Sequence, residues 1–429
     1  MPPPQSAADS ALLKRLFWRL MPLVTLMYLV AVIDRQNVGF AKLQMVHALG
    51  MSETAYGLAS SLFFIGYLVF ELPSVMAVHR FGARMWFARI VLTWGLLTIF
   101  LGFVTSGSMF TALRFLLGAA EAGLYPGLIY YLTLWFPKSY QVRALGVLTL
   151  GSAFGNMLGS LLGGLFLDLN GAWGLAGWQW VFVATGVPAL VVTILTLRYL
   201  PDNPQTAAFL GPQERAQLSA AIERERVPGV GHASIWGVLV DPRTLLFSLA
   251  YMLILTALYG VIYWLPTVIK GFGVSGTTNG ILNAVPWGIA AVMLVIVPRR
   301  LRNQHDVLIG MALISLIGVV CFLVSVSAEN VLLRFAALAI GTPCVSLILP
   351  CFWSIPPRYF KGAQAAASLA AISSFGNIGG FLAQNVMPWV AKHVGGAGGA
   401  MYVPAACLVV LAFGALRARF LSPATSAHA

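Results

Sequence analysis

The residues most able to do chemistry in this chain are Arg114 and Glu121, which lie in the middle of an apolar stretch from Phe110 to Trp135. Charged side chains inside such a stretch are costly to bury in a membrane and mark functional sites by default. A spacing of seven residues is close to two helical turns, so both side chains fall on one stripe of a helix, roughly 10 Å apart along its axis. Tyr125 extends the same stripe. We therefore expect an intramembrane site on this helix.

A second acid and arginine, Asp34 and Arg35, are adjacent in the first apolar segment. Neighbouring residues of a helix point about 100° apart, so one of them can face a ligand while the other faces a neighbouring helix. Two interpretations follow. In one, the charges form a fixed ion pair between the first and fourth helices. In the other, which we favour, Asp34 and Glu121 carry protons. Arg35 and Arg114, which cannot lose their charge, then bind an anion.

The composition identifies a membrane protein. Of the 429 residues, 59% are hydrophobic and 9% are charged, whereas about a quarter of the residues in soluble proteins are charged. Apolar runs of about 20 residues are long enough to span a bilayer and predict an all-α protein with twelve transmembrane helices. We expect these helices at residues 18–40, 54–78, 84–105, 109–136, 141–168, 177–199, 243–270, 277–298, 306–327, 330–354, 362–391 and 400–420.

The net charge of +13 is a topology signal and does not indicate nucleic-acid binding. With the N-terminus inside, 20 of the 26 Lys and Arg residues fall on the cytoplasmic side and three lie within helices. Only Lys42, Lys270 and Lys392 fall outside. This bias predicts cytoplasmic termini by the positive-inside rule. The first apolar run continues through Asp34 without a cleavage pattern, so we expect an uncleaved helix and not a signal peptide.

Enzyme and metal chemistry are not indicated. The four cysteines lie in predicted helices without metal-ligand spacing, and the six histidines are scattered. No Lys follows a Gly, so the phosphate-binding loop of an ATPase is missing. We expect a monomeric transporter, embedded in the lipid bilayer, which needs neither a metal nor a cofactor.

One long polar stretch, residues 201–242, divides the helices six and six. It predicts an N-terminal bundle at residues 1–200 and a C-terminal bundle at residues 243–429. The charged part of this stretch, Glu214 to Arg226, could form a short surface helix, but we favour a solvated linker.

The two bundles repeat each other in sequence. Two strings match: LRF at 113–115 recurs at 333–335, and AFGN at 153–156 recurs as SFGN at 374–377. Parallel halves of six helices are the arrangement of the major facilitator fold, which holds substrate between the halves near the membrane midplane. Asn156 and Asn377 fall on corresponding helices, and Ser373 lies one turn before Asn377. The C-terminal half offers a substrate the polar and aromatic side chains of Ser373, Asn377, Gln384 and Trp353.

Several strings resemble the anion:cation symporter family within the major facilitator superfamily, and the resemblance covers nearly the whole chain. They are MPLVTLMYLVAVIDRQNVGFAKLQM, FFIGYLVFELPS, RFLLGAAEAGLYPG, GWQWVFVATGVPA followed by YLPDNP, and FWSIPPRYFKGAQAAASLAAISSFGNIGGF. The resemblance implies a bacterial inner-membrane protein that imports a sugar acid or another small organic anion with protons.

The resemblance also assigns roles to residues. The family's proton-coupling acids fall on Asp34 and Glu121, and its arginines fall on Arg35 and Arg114. Its pocket tyrosine and tryptophan fall on Tyr67 and Trp353.

Two departures from the family pattern concern the substrate. Members often have Tyr where this chain has Val32, and Asn where it has Ser373, so the resemblance does not identify a particular anion. The alternative within the same fold is a proton-coupled drug or metabolite exporter. Ser160 stands where the fifth helix of many exporters has Pro, which counts modestly against export.

Overall fold

The computed structural model describes residues 7–224, 235–298, 300–301, 303–360 and 363–421. In these ranges the chain forms seventeen α-helices and one short 3-10 helix at Ala172–Gly174. The α-helices are α1 Ala7–Ala48, α2 Glu53–Phe81, α3 Ala83–Leu101, α4 Gly107–Glu121, α5 Leu124–Trp135, α6 Lys138–Leu167, α7 Gly177–Tyr199, α8 Pro212–Arg224, α9 Ile235–Leu239, α10 Pro242–Lys270, α11 Gly276–Ile296, α12 Gln304–Ser327, α13 Val331–Trp353, α14 Pro356–Tyr359, α15 Ala363–His393, α16 Gly396–Gly399 and α17 Tyr402–Leu421.

Ten helical segments of the described chain are long and apolar enough to cross a membrane. The pair α4 and α5 forms one further span, and α15, with 31 residues, forms another. These twelve spans confirm the fold class predicted from the apolar runs. The predicted start of the eleventh helix, residue 362, lies outside the described residues.

The fourth span is broken, so the prediction of a continuous helix over residues 109–136 is wrong. Helix α4 ends at Glu121, and α5 begins at Leu124. Between them, Gly123 adopts a left-handed conformation with φ +81°, which glycine reaches without steric cost. A Cβ at this position would stand 2.5 Å from the Cβ of Ser74. A glycine is therefore required both by the backbone turn and by the close packing of α2.

Within each half, the helices pack mainly against other helices of the same half. In the N-terminal half, α1 packs against α6 and α7, α2 against α4, and α3 against α7. In the C-terminal half, α10 packs against α15, and α12 packs against α13 and α17. The halves meet along three helix pairs, α6 with α11, α2 with α15, and α1 with α10.

We call the membrane face that carries residues 201–242 the linker side, and the opposite face the distal side. The halves are in close contact on the distal side. There, Gly164 would place a Cβ 2.6 Å from Gly280 Cα, and Gly57 would place one 2.8 Å from the ring of Pro388. Asp168, at the end of α6, accepts hydrogen bonds from the backbone N–H groups of Gly276 and Thr277. The structure is thus closed on its distal side.

The described part of the segment between the halves is folded, so the expectation of a solvated linker from Glu214 onward is wrong as far as Arg224. It contains α8, whose Leu218 is buried, and Phe209, which stacks on Trp135 with ring centroids 6.1 Å apart. Arg15 at the start of α1 forms an ion pair with Glu214. Residues 225 and 226, at the end of the alternative surface helix, lie outside the described residues.

Candidate functional site

Arg35 lies at the centre of the contact between the halves. Its Nε donates to Glu121 Oε1 at 2.7 Å, and its Nη2 lies 2.7 Å from the same oxygen. Its Nη1 donates to the Tyr259 hydroxyl at 3.1 Å. Tyr67 places the face of its ring 5.2 Å from the guanidinium carbon, within cation–π range. The arginine of α1 therefore joins α2, α4 and, across the interface, α10.

Asp34 points away from Arg35, into the N-terminal half. Its Oδ1 accepts a hydrogen bond from Asn37 Nδ2, which also donates to Thr185 on α7. Its Oδ2 has no hydrogen-bond partner among the described residues. The divergence follows from the 100° step between adjacent helical positions. The two acids are therefore in different surroundings, since Glu121 faces an arginine and Asp34 faces amide and hydroxyl groups.

Arg114 does not pair with Glu121, although the two lie on one stripe of α4. Instead its Nε and Nη2 donate to the Ser60 carbonyl at 3.4 and 3.3 Å, and its guanidinium lies over the Phe63 ring at 4.8 Å. Among the described residues, no carboxylate oxygen lies within 4.0 Å of its nitrogens. The Glu121 carboxylate points toward α1, where it pairs with the Arg35 guanidinium. Arg114, 1% exposed, is left as a buried cation without an ion-pair partner.

A cavity lies beside Arg35, between the two halves. Tyr28, two turns before Arg35 on α1, packs its ring against Tyr125, with centroids 5.0 Å apart and the rings tilted by 33°. The walls come from both halves, namely Tyr28, Val32, Arg35, Thr149, Ser152, Ala153, Asn156, Leu258, Tyr259, Ile262, Trp287, Leu294, Ser346 and Leu349. Arg35 and Asn156 are therefore brought to one cavity, and Tyr125 stands behind its wall.

The other predicted residues of the C-terminal half lie nearby but make fewer polar contacts. Trp353 packs its ring edge-on against Tyr251, with centroids 4.9 Å apart. Ser373 and Asn377 are half-buried on α15, and no side-chain hydrogen bond joins either of them to another described residue. The residue beside them, Ser374, donates to Glu71 on α2 at 3.4 Å.

This architecture, with two helical halves around a buried ionic site, has a counterpart among known protein families. A model of the Major Facilitator Superfamily matches residues 24–384. The chain belongs to this superfamily. The match confirms the superfamily that the sequence strings indicated.

Known relatives of this major facilitator protein are transporters. It is 36% identical over 413 residues to a putative tartrate transporter of Agrobacterium vitis, covering 95% of this chain and 94% of that one. It is 35% identical to a quinolone resistance transporter of Acinetobacter baumannii, covering 92% of each chain. It is also 35% identical to the putative metabolite transport protein NicT of Pseudomonas putida, covering 94% and 93%. The chain is therefore a membrane transporter and not an enzyme.

Solved structures share the fold. A bacterial homolog of the human lysosomal transporter Spinster, in an inward-facing and unoccupied conformation, superposes with a TM-score of 0.72 at 17% identity, over 99% of this chain and 100% of that one. The xylose transporter XylE of E. coli, in a partially occluded inward-open conformation, gives 0.71 at 13% identity over 94% and 99%.

Sequence reasoning about this transporter missed the tyrosines that surround Arg35. Tyr259 binds its guanidinium directly, and Tyr263 stacks on Tyr259 with centroids 5.8 Å apart. Both lie in the predicted seventh helix, which contains no acidic residue and was therefore not expected to contribute to the ionic site. Their spacing of four residues puts both on one face of α10, and this spacing was the available signal.

Proposed function

We propose that the protein imports a small organic anion together with protons by alternating access of its two halves. The observation that carries the proposal is the position of Arg35, held between Glu121 of its own half and Tyr259 of the other. An arginine keeps its charge, so a site that releases it from one carboxylate must offer it another anion. A substrate carboxylate in the adjoining cavity meets that need.

Protonation of Glu121 supplies the coupling. A proton removes the charge that neutralises Arg35, and the guanidinium is then free to bind a substrate carboxylate. Proton binding therefore favours anion binding, and by linkage anion binding favours proton binding to the same degree. Burial disfavours the charged form of a carboxyl, whereas a neighbouring guanidinium favours it. Glu121 can exchange its proton when the distance to Arg35 changes between conformations.

Asp34 is the second proton carrier in this proposal. Among the described residues, no arginine nitrogen lies within 4.0 Å of its carboxyl, and only one of its two oxygens has a hydrogen-bond partner. Protonation would let the free oxygen donate a hydrogen bond within the N-terminal half. Asp34 then changes the packing of α1, while Glu121 changes the charge presented to the substrate.

The remaining residues shape the substrate site. We assign Arg35, Arg114, Tyr67, Tyr125, Asn156, Trp353, Ser373 and Asn377 to binding. Arginines suit carboxylates, and aromatic faces suit the apolar side of a sugar or a benzene ring. The names of two relatives, a putative tartrate transporter and a metabolite transport protein, make a sugar acid or another small carboxylate the first class to test.

The direction of transport follows from the proposed symport together with the orientation of the protein. The excess of Lys and Arg on the linker side makes that side cytoplasmic by the positive-inside rule. We therefore propose that both termini lie in the cytoplasm of a bacterium, with the protein in the inner membrane. We also propose, separately from the charge bias, that it acts as a monomer. The distal side then faces the periplasm, and the inward proton gradient drives the anion toward the linker side.

The test is uptake of labelled tartrate, gluconate or benzoate by proteoliposomes that contain the full chain. An inward proton gradient should accelerate accumulation, and a protonophore should abolish the acceleration. Glu121→Gln mimics the protonated acid, so it should keep binding and substrate exchange but lose gradient-driven accumulation. Arg35→Ala should instead weaken binding by on the order of 2 to 5 kcal/mol, because it removes a buried cation from an anion site.

The control for these variants is Glu214→Gln, which removes an acid from the linker side far from the cavity. It should leave accumulation unchanged. If accumulation is unchanged by the proton gradient and by the protonophore, the protein is instead a uniporter or an exchanger. Equal loss of binding in Glu121→Gln and Arg35→Ala would mean that the two residues form only a structural ion pair.

A second candidate is a proton-coupled exporter of drugs or metabolites. It is favoured by one observation, the 35% identity to a quinolone resistance transporter. Two buried arginines at the site are better suited to a carboxylate than to a cationic drug, although a quinolone also carries a carboxylate. Proton-driven movement of norfloxacin out of the cytoplasmic compartment, with no uptake of the three organic acids, would select this function instead.

A further inference from the structure

Lys42 is a buried cation that the proposed site does not use. It lies seven residues after Arg35 on α1, on the same face of the helix and about 10 Å nearer the distal side. Its side chain is 6% exposed. Between the two cations, Gly39 packs against the backbone of Tyr263 on α10, where a Cβ would be 3.1 Å from the carbonyl oxygen. The two cations thus share one stripe that faces the other half.

The contacts of Lys42 come from both halves. Its Nζ lies 2.6 Å from Glu53 Oε2 on α2. It also lies 3.5 Å from the centre of a Trp264 ring and 3.5 Å from Thr267 Oγ1, both on α10. The ion pair with Glu53 is confined to the N-terminal half, so it cannot hold the halves together. Of its contacts with described residues, those with Trp264 and Thr267 would be lost when the distal side opens.

In the described chain, two residues beside Lys42 have buried hydrogen-bond donors without partners. A cavity of about 10 Å³ lies beside Lys42, with Tyr263 and Gln384 in its wall. In the described part of the chain, the Tyr263 hydroxyl and the Gln384 amide nitrogen are buried and form no hydrogen bond. The volume is about that of one water molecule, so the closed structure passes no organic anion. Buried donors are normally paired, and a carboxylate that passes between the halves would pair them.

We propose that Lys42, with the Tyr263 hydroxyl and the Gln384 amide, forms a distal anion site that receives the carboxylate before Arg35 does. When α10 withdraws, Trp264 leaves the ammonium group and an anion from the distal side takes its place. The anion then moves along the stripe to Arg35. The chemical class of the ligand is a small carboxylate, and this inference rests on the proposed import of organic anions.

The test compares charge variants in proteoliposomes with labelled tartrate, gluconate and benzoate as probes. Lys42→Gln should raise KM for proton-driven uptake about tenfold. The positive charge of Lys42 raises the local concentration of anions at the distal entrance, and the substitution removes that charge. Lys42→Arg should restore KM to within about twofold of wild type. Raising the ionic strength should raise KM in wild type and have little effect in Lys42→Gln, because salt screens the attraction.

Three further variants separate anion binding from a structural role. Glu53→Gln should leave KM unchanged or lower it, since it frees the ammonium group. The double variant Lys42→Gln with Glu53→Gln should keep the raised KM, which excludes simple repulsion by an unpaired Glu53. Lys270→Gln is the matched control, because it removes the same charge from the same side at an exposed position.

The outcomes distinguish this site from the proposed function. One outcome is that wild type takes up the anions and that Lys42→Gln and Glu53→Gln raise KM equally. The Lys42–Glu53 ion pair would then be structural, and the distal site would be refuted while the proposed import function stands. If Lys270→Gln raises KM as much as Lys42→Gln does, the effect comes from the general positive charge of the distal surface, and the specific site at Lys42 is refuted. Absence of wild-type uptake for all three anions would refute the proposed import function and the distal site with it.

Discussion

Removal of the Asp168 carboxylate should open the distal side. Asp168 belongs to the N-terminal half, but its two oxygens accept from Gly276 N–H at 2.9 Å and Thr277 N–H at 2.7 Å, at the start of α11 in the other half. A helix cap of this kind contributes about 1 kcal/mol. Because this cap exists only while the halves touch, Asp168→Ala should lower the ratio of closed to open molecules about fivefold, since RT is about 0.6 kcal/mol.

The same contact should be insensitive to pH over the working range. Partial burial disfavours the carboxylate, but the hydrogen bonds from Thr277 and Gly276, with the nearby Lys270 charge, outweigh it and hold the pKa of Asp168 below its usual range. A lowered pKa means that the contact is fully formed above the ordinary carboxyl pKa of about 3.9. It is lost only as the pH falls through the lowered value. Between pH 5 and 8, any pH-driven opening must therefore arise elsewhere.

The assay is a distance distribution between spin labels at Trp173→Cys and Ser327→Cys, two exposed positions at distal ends of opposite halves. Asp168→Ala should increase the population at long distance. The matched control is Asp241→Ala, since Asp241 accepts from Arg243 and Thr244 N–H at the start of α10 within its own half. A distribution unchanged in Asp168→Ala, or equally changed in Asp241→Ala, would refute the reasoning.

Two other variants test the interface and the broken helix. Tyr259→Phe removes the hydroxyl that accepts from Arg35 across the halves, and a hydrogen bond to a charged group contributes about 1.5 to 3 kcal/mol. It should therefore increase the long-distance population more than Asp168→Ala does, and an unchanged distribution would contradict this role. Gly123→Ala should cost at least 1 to 2 kcal/mol for the left-handed backbone alone, seen as a lower Tm in detergent. Gly146→Ala, where a Cβ meets open space, should leave Tm unchanged or raise it, and equal effects of the two substitutions would argue against strain at Gly123.

Much of the fold was predictable because the membrane imposes a simple rule. Spanning segments must be long and apolar, and the match of AFGN with SFGN placed the two halves in register. The break after Glu121 was not predictable in the same way. Gly123 is one glycine in an apolar run, and its left-handed conformation depends on the approach of Ser74 from α2. A tertiary contact of this kind has no periodic signal in the sequence.

The site was predictable in its residue types but less so in its pairing. Charges inside apolar runs identified Asp34, Arg35, Arg114 and Glu121 as exceptional. Their partners depended on how α1 approaches α4, and this approach pairs Glu121 with Arg35. Tyr259 was missed because a tyrosine in an apolar helix is usual, and its bond to Arg35 arises only when the two halves meet.

The four charges of the candidate site have an electrical consequence. Arg35 and Arg114 are matched in number by Asp34 and Glu121, so with both acids ionised the empty site carries no formal charge. Moving one elementary charge through a membrane potential of 100 mV is worth about 2.3 kcal/mol. A carrier with an unbalanced site would therefore be biased toward one face by voltage alone. In the proposed cycle, two acids against two arginines let the empty site change its access from one face to the other without working against the potential.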